Sequence, residues 1–426
     1  MLTRSKLVEF LHSNKINAFV IFLVVFMVGN YALSQHLRPL NISIIFILIF
    51  LGYFFQKDFK WIKPSLSLIL FCSVSFVGVT LLNHFSGRLD GIPDHLFKTY
   101  RNIINQYIWF LPLLLLPSIF YKSKFKVEYL INSITFVLVF LMFYLFYWGH
   151  KLNYGRSALA DFFNPIITYD IGLISLSILV LIYAFFIKNN KSYFYLIVSL
   201  LCIFLLIMHG SRGTWVGLPA VFLLIGGVYF KTQLKKVLLM YALVFLFVTV
   251  NLINPESALV NRIDEFKTDT QELKQQNYQT SSGLRLYMWE NSIEIFKQHP
   301  ITGIGMYEIE HYNCELEKKG LLPQCFQHMH SIYFHELAAN GLIGILSLLL
   351  TFGVALFYFL RNFFNVKRDR EIKNLSLMGF TFVSYYMACG LTEYYLFFYS
   401  TTYFFYLFTA SIMVLIALRN RSIRLG

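Results

Sequence analysis

Charge is what this chain of 426 residues has least of: 14% of its residues are charged, against about 25% in soluble domains. Cysteine and proline are also sparse, with 5 and 10 residues. So few charges cannot cover the water-facing surface of a soluble protein of this length, and the composition equally excludes disorder, fibrous repeats and a secreted disulfide scaffold. Because 57% of the residues are hydrophobic and 19% aromatic, the sequence predicts an all-α polytopic membrane protein.

Long apolar runs define the predicted membrane spans. A run of about 17–25 apolar residues is long enough for a helix to cross a bilayer. Such runs, or runs slightly shorter, occur twelve times, centred on 16–32, 40–54, 65–82, 104–119, 130–148, 166–187, 192–208, 215–230, 237–252, 342–360, 375–391 and 395–418. No small-residue cleavage site follows the first run, so we expect no cleaved signal peptide.

The distribution of basic residues predicts the orientation of these spans. Of the 36 lysines and arginines, 22 lie in one alternate set of short segments, which includes both ends of the chain. Lysine and arginine accumulate in cytoplasmic loops, so this asymmetry places both termini in the cytoplasm. It also accounts for most of the net charge of +14, so we do not predict a nucleic-acid partner.

One long polar segment, 253–341, separates spans nine and ten and holds 12 of the 22 acidic residues. We predict that it is a helical cap on the outer face. The chain then divides into residues 1–252 with spans one to nine, the cap at 253–341, and residues 342–426 with the last three spans and a cytoplasmic C-terminus.

Turn and capping residues predict three helices within this cap. The first begins at Asn254-Pro255, with proline in the first turn. The second begins at Ser281 and ends at His299-Pro300. A turn follows at the glycines of 303–305, and a third helix runs from near His330 to a break at 340–341.

The five cysteines divide by location. Three of them lie within predicted spans as small apolar residues. Cys314 and Cys325 both lie in the cap segment, and if the outer face is oxidising they could form a disulfide. The alternative is a pair of free thiols.

Three charged or titratable residues near the predicted outer surface are candidates for chemistry. Arg212 lies in a turn between spans seven and eight, where it could bind a ligand or simply snorkel. Arg285 lies in the first turn of a predicted helix, where the helix dipole disfavours a cation; a bound anion would explain it, and a solvated surface arginine is the alternative. His330 could be a catalytic base or a structural histidine.

Other site types have weaker support. A zinc site formed by His328, His330 and His335 lacks a standard ligand spacing, so we predict no metal. Asp90 and Asp94 are typical of a turn rather than of an acidic pair. The sequence holds no Gly-x-Ser-x-Gly elbow, P-loop or His-Glu-x-x-His helix, so hydrolases and nucleotide-driven pumps have no support.

Four motifs in fixed order resemble the O-antigen ligase family of bacterial inner-membrane glycosyltransferases. They are SRG at 211–213, GLRLYMW at 283–289, FKQHP at 296–300 followed by GIG at 303–305, and HMHS at 328–331 followed by ELAANGLIG at 336–344. The family usually has asparagine where this chain has Ser331. The clear match covers 211–344, and the remainder matches only in span count and loop placement.

The resemblance implies a GT-C-like fold and a glycan transfer at the periplasmic face. The donor would be a glycan on undecaprenyl pyrophosphate and the acceptor a sugar hydroxyl of lipid A–core, with inversion and without metal or other cofactor. Arg212 and Arg285 would hold the pyrophosphate, and His330 would be the base. His328, Arg156 and Lys98 are lesser candidates for contacts with the anion.

Three other functions fit part of the sequence. An O-antigen polymerase would use the same donor and architecture. Protein O-oligosaccharyltransferases are also related but usually carry an additional C-terminal extension. A transporter or flippase for the same anionic lipids would explain the spans and arginines, but it would not explain the clustering of motifs in one outer loop.

Overall fold

The computed structural model of the protein describes residues 39–55, 59–151, 166–275, 277–365 and 369–425, with five further residues between 22 and 29. All regular secondary structure in these residues is helical, as the composition predicts. In chain order the helices are α1 (Pro39–Phe54), α2 (Leu66–Phe85), α3 (Asp94–Lys122), α4 (Val127–Lys151), α5 (Ile166–Phe186), α6 (Lys191–Ile207), α7 (Arg212–Tyr229), α8 (Leu234–Ile253), α9 (Ala258–Lys274), α10 (Ser281–Gln298), α11 (Met306–Lys318), α12 (Ile332–Asn365), α13 (Arg370–Cys389) and α14 (Tyr399–Leu425).

Eight of the described helices are long and apolar enough to cross a membrane: α2, α3, α4, α5, α7, α8, α12 and α14. Two shorter apolar helices, α1 and α6, coincide with two further predicted spans. The predicted span at 375–391 is helical as α13, which is too polar to count among the eight. The span at 16–32 lies mostly outside the described residues, so the total of twelve stays a prediction.

Helices α5 and α14 form the centre of the bundle. Nearly every residue of α5 from Ile166 to Phe185 is buried, and α14 is buried over most of its length. Helix α8 lies at the periphery and exposes large apolar side chains such as Phe245 and Val250. An apolar outer surface around a closely packed centre is typical of a bundle surrounded by lipid.

The segment between α8 and α12 is helical, as predicted, but its helices differ in detail. Helix α9 begins at Ala258 rather than at Asn254-Pro255, because the side chain of Ser257 caps it by accepting from the Val260 N–H. Helix α10 begins at Ser281 and ends at Gln298, as predicted. Helix α11 is an additional helix that the sequence analysis did not anticipate. The side of the membrane that these helices face remains a prediction from the charge pattern.

The glycine-rich turn and the predicted helix break pack directly on each other. Helix α12 is interrupted at Gly341, whose φ of 61° and ψ of −149° are not helical. A Cβ on Gly303 would lie 2.4 Å from the Ala338 carbonyl oxygen, so only glycine permits this approach. The backbone of Gly305 donates to the Ala339 carbonyl at 2.7 Å across the same contact.

Arg88, in the loop after α2, holds this crossing together. Its guanidinium donates to the carbonyl oxygens of Thr302 and Gly303 on one side and to the Ala339 carbonyl on the other, the last two at 2.8 Å. One side chain thereby satisfies carbonyls of both segments. It holds α12 at the break near Gly341, where the second part of the helix continues into the bundle. The sequence analysis did not single out Arg88.

Candidate active site

Arg212 is the first residue of α7 and reaches toward α9. The chain leaves α6 through Gly210, whose φ of +71° permits a tight reversal. Arg212 Nη2 donates to Asp269 Oδ2 at 3.2 Å, and the Nη1 atom is buried with no hydrogen-bond partner. The guanidinium is thus held by one nitrogen, which leaves donors on the other.

Asp269 joins α9 to the N-terminus of α10. Besides Arg212, its Oδ2 accepts from the backbone N–H and the hydroxyl of Ser282, at 3.3 and 2.6 Å. An anion was predicted at this helix end, and in the structure the carboxylate of Asp269 lies there.

Arg285 lies one turn into α10 and is held between α10 and the 390–394 turn. Its Nη1 donates to the Ser281 carbonyl at 3.0 Å, and its Nε donates to the Thr392 carbonyl at 3.3 Å. Burial lowers the pKa of Arg285, the charge of Glu393 opposes that lowering, and the nearby charge of Arg212 adds to it. The side chain nevertheless stays a cation, because the ordinary pKa of arginine lies above about 12. Arg285 is therefore a half-buried cation held by backbone carbonyls, and not a freely solvated surface arginine.

His330 lies in a strained turn just before α12. Its φ is +48°, which is uncommon for any residue other than glycine. Trp289 Nε1 donates to the Met329 carbonyl at 3.1 Å, and the Ser331 hydroxyl donates to the Gly390 carbonyl at 3.2 Å. These bonds fix the turn against α10 and against the 390–394 turn. Ser331, the departure from the family pattern, therefore has a defined partner.

The surroundings of His330 keep its ring neutral. Burial lowers the pKa of His330 well below the ordinary 6.5, and the charges of His328 and Arg285 lower it further. Burial and Arg285 likewise lower the pKa of His328 to about 4. The Nδ1 atom of His330 lies 4.0 Å from Glu393 Oε1, a carboxylate that is almost completely buried. The site therefore contains a neutral imidazole beside a carboxylate.

The two arginines line one cavity. It has a volume of about 440 Å³ and lies between α7, α9, α10 and the 390–394 turn. Arg212, Arg285 and Trp289 line it together with the apolar side chains of Phe266 and Leu286. An apolar cavity with a few convergent charged groups is typical of a ligand site.

The structure brings most of the predicted site residues together. Arg285 connects the cluster of Arg212, Arg285, His328 and His330: the charge of Arg212 acts on the pKa of Arg285, and the charge of Arg285 acts on the pKa of both histidines. Of these four residues, the two arginines line the cavity. Lys98 is instead exposed on α3 and does not line the cavity. Arg156 lies outside the described residues.

Asp269 and Glu393 are the site residues that the sequence analysis missed. Glu393 offered one signal, since it is a rare charge near the predicted end of a span. Asp269 offered none, because it is one acidic residue among many on a charged helix.

One group of side chains in the described residues could hold a metal ion. His328, His330 and Glu393 each place a ligand atom within 4.8 Å of the others. Tetrahedral zinc with bonds of about 2.0–2.1 Å requires ligand atoms roughly 3.3 Å apart. The 4.0 Å between His330 Nδ1 and Glu393 Oε1 is longer, so these side chains would have to move to bind zinc. His335, the third residue of the predicted zinc alternative, is stacked on Tyr394 at 3.8 Å.

Cys314 and Cys325 are adjacent in the structure. Their sulfur atoms are in bonding contact and their Cα atoms lie 4.3 Å apart. The three other cysteines are buried in helices as free thiols. The predicted pairing is thus sterically allowed, and whether it forms depends on the redox compartment.

We expect the protein isolated from an oxidising compartment to contain this disulfide. Alkylation without reductant should leave Cys314 and Cys325 unlabelled, and labelling should follow only after reduction. Mass spectrometry of the peptides measures this, with denaturation exposing the three buried cysteines as a labelling control. Labelling of both loop cysteines before reduction would contradict the pairing.

The fold and cavity define a class: a helical membrane protein with a cationic site and a neutral histidine beside its bundle. Residues 197–349, which contain Arg212, Arg285 and His330, match the family model described as O-antigen ligase. The predicted resemblance to the O-antigen ligase family is thereby confirmed for this part of the chain.

Two relatives are similar to this chain over about two thirds of its length. A protein of Haemophilus influenzae described as uncharacterized is 27% identical over 277 residues, which cover 63% of this chain and 68% of that protein. The O-antigen ligase of Escherichia coli is 23% identical over 307 residues, which cover 68% of this chain and 70% of that protein. The family supports a role in glycan transfer related to lipopolysaccharide.

Proposed function

We propose that the protein is an O-antigen ligase, which transfers a glycan from undecaprenyl pyrophosphate to a sugar hydroxyl of lipid A–core at the periplasmic face of the inner membrane. The observation that carries this proposal is the cavity lined by Arg212 and Arg285, with a neutral His330 close enough to Arg285 for that charge to lower its pKa, all within the family segment. Each group matches one chemical requirement of the transfer.

The arginines match the requirement for a stabilised leaving group. When the bond between the anomeric carbon and the phosphate oxygen breaks, negative charge accumulates on the pyrophosphate. Guanidinium groups present paired N–H donors that match phosphate oxygens. Arg212 has an unpartnered buried Nη1, and Arg285 lines the same cavity, so both can donate to an anion there.

His330 matches the requirement for a base. The acceptor hydroxyl attacks the anomeric carbon as its proton passes to an imidazole nitrogen, and a single displacement of this kind inverts the anomeric centre. Because the pKa of His330 is lowered, the ring is neutral and free to accept that proton at neutral pH. Glu393 lies toward Nδ1, so it is placed to stabilise the imidazolium that forms.

Transfer by the purified full-length protein tests this function. The protein in detergent should join a labelled glycan from undecaprenyl pyrophosphate to lipid A–core. Elongation of the donor glycan without transfer to the core would instead identify an O-antigen polymerase. The matching phenotypes of a deletion strain are bare core for a ligase and core with a single repeat for a polymerase. Lipid movement in vesicles without any transfer would favour a transporter.

We expect the transfer to be independent of metal ions. Treatment with a chelator, followed by removal of the chelator, should leave the rate unchanged within about twofold, since the 4.0 Å between His330 Nδ1 and Glu393 Oε1 is longer than the ligand separation in tetrahedral zinc. Added zinc should inhibit if it draws these side chains together. A loss of activity that only added metal restores would show that this group holds a required ion.

A further inference from the structure

A second cavity lies at the end of the bundle remote from the candidate active site. Its volume is about 760 Å³, and it is formed by the start of α2 and the C-terminal ends of α12 and α14. Helix α12 begins beside His330 and reaches this cavity about thirty residues later, through Arg361. The two sites are therefore at opposite ends of the same helix.

Three arginines line this cavity without a carboxylate partner. Arg361, Arg421 and Arg424 form no ion pair with any described residue, and no acidic side chain lines the cavity. Arg419, at the same end of α14, is different: its Nε lies 3.0 Å from Asp369 and 3.2 Å from Glu371. The positive charge directed at the cavity is thus uncompensated, whereas a neighbouring charge is neutralised.

Contacts between the helices hold the walls of the cavity in place. Asn420 Nδ2 donates to Asn362 Oδ1 at 3.1 Å, and the Tyr358 hydroxyl donates to the Met413 carbonyl at 3.0 Å. Both bonds join α12 to α14. The guanidinium of Arg421 also lies 5.8 Å from the centre of the Tyr121 ring, a cation–π distance that helps to orient it.

The rest of the lining is apolar and faces outward. Leu66 is 70% exposed and Phe357 is 65% exposed, as expected of side chains that contact lipid. The first turn of α2, capped by Ser65, contributes free backbone N–H groups beside the arginines. A ligand that fills this cavity needs an anionic group at one end and an apolar body at the other.

We propose that this cavity binds the phosphate headgroup of an anionic phospholipid, with the acyl chains against Leu66 and Phe357. Arginine matches phosphate oxygens through paired donors, and basic pockets between membrane helices are known to bind such headgroups. A free phosphate ion would satisfy the arginines but would leave the apolar wall unused. A charge bias that only orients the protein in the membrane requires neither a cavity nor unpaired arginines. We therefore assign these arginines a binding role in addition to their effect on orientation.

Native mass spectrometry of the full-length protein in detergent tests the proposal. Phosphatidylglycerol should be retained, and phosphatidylcholine with the same acyl chains should not. Each single change, Arg361→Gln, Arg421→Gln or Arg424→Gln, should weaken phosphatidylglycerol binding by roughly fivefold, and the triple change by on the order of a hundredfold. Arg419→Gln removes the same charge from the same helix end and should alter binding by less than about twofold.

Three results would overturn the proposal: equal retention of phosphatidylcholine, an equal effect of Arg419→Gln, or displacement of the lipid by inorganic phosphate at equal concentration, which would assign the site to the free ion. If the triple variant does not fold, the single variants compared with Arg419→Gln still decide the question. Glycan transfer should be retained in every variant in detergent, because none of these residues lies at the candidate active site. If the proposed glycan transfer were not observed, the lipid-binding measurement would still test the proposed lipid site.

Discussion

Replacing His330 with alanine is expected to reduce the rate of glycan transfer by roughly a hundredfold to ten-thousandfold, the usual contribution of a positioned base. The acceptor hydroxyl would then have to lose its proton to water or to the leaving pyrophosphate. Membrane insertion should persist, because the turn around His330 is held by backbone groups of Met329 and by the Ser331 side chain. Initial rates with the purified variant measure the effect.

His311→Ala is a suitable control for this experiment. His311 is exposed on α11, whereas His330 is half-buried next to Glu393, so the loss of His311 should leave the rate within about twofold. Near-normal transfer by the His330 variant would remove His330 from the role of base.

The pH dependence of the wild-type protein provides a second measurement of the same role. The active form of a base is the deprotonated form, which is present above its pKa. Since burial holds the pKa of His330 well below 6.5, the rate should stay constant from about pH 8 to pH 6.5 and fall only at lower pH. The residual rate of His330→Ala should lack this acid limb. If the rate already falls at or above pH 6.5, and does so in the variant as well, the group that titrates there is not His330.

Apolar runs made most of the bundle predictable, since a membrane helix must satisfy its backbone internally over a known length. The prediction was less complete for helices whose sequences are not uniformly apolar. Helix α11 was missed because charges obscure its pattern, although Met306, Ile309 and Leu316 recur on its buried face. Helix α13 carries polar side chains that pack inside the bundle, so its hydropathy is low for a span.

The candidate site was predictable only where its residues lie in ordered motifs. Arg212, Arg285 and His330 each follow a local signal, namely a glycine turn or a helix end, and the motif order connects them. Asp269 contacts Arg212 from 57 residues away, and Glu393 approaches His330 from beyond α12 and α13. Such pairings depend on how the helices pack against one another, and this packing cannot be read from a single sequence. Arg88 was missed for the same reason, because its partners are carbonyls of two distant turns.

Changing Arg212 to lysine is expected to lower kcat/KM for transfer by about tenfold to a hundredfold, even though the positive charge is kept. A lysine ammonium can replace the contact with Asp269, but it cannot at the same time present a second fixed donor where Nη1 now lies. One charged hydrogen bond to the leaving group is worth about 1.5–3 kcal/mol, which corresponds to this loss.

The loss on changing Arg212 should fall on the chemical step as well as on donor binding, since negative charge on the pyrophosphate is greatest as the bond breaks. Arg262→Lys is the matched control, because Arg262 lies near the start of α9, packs against Gly210 in the turn before Arg212, and pairs with Glu265 outside the arginine-lined cavity. Steady-state rates at varied donor concentration separate kcat from KM for both variants. Full activity of Arg212→Lys would show that a point charge suffices and would exclude a contact through two guanidinium nitrogens. A loss in both variants would instead indicate that the packing of α9 against α7, and not the donor geometry of Arg212, controls the rate.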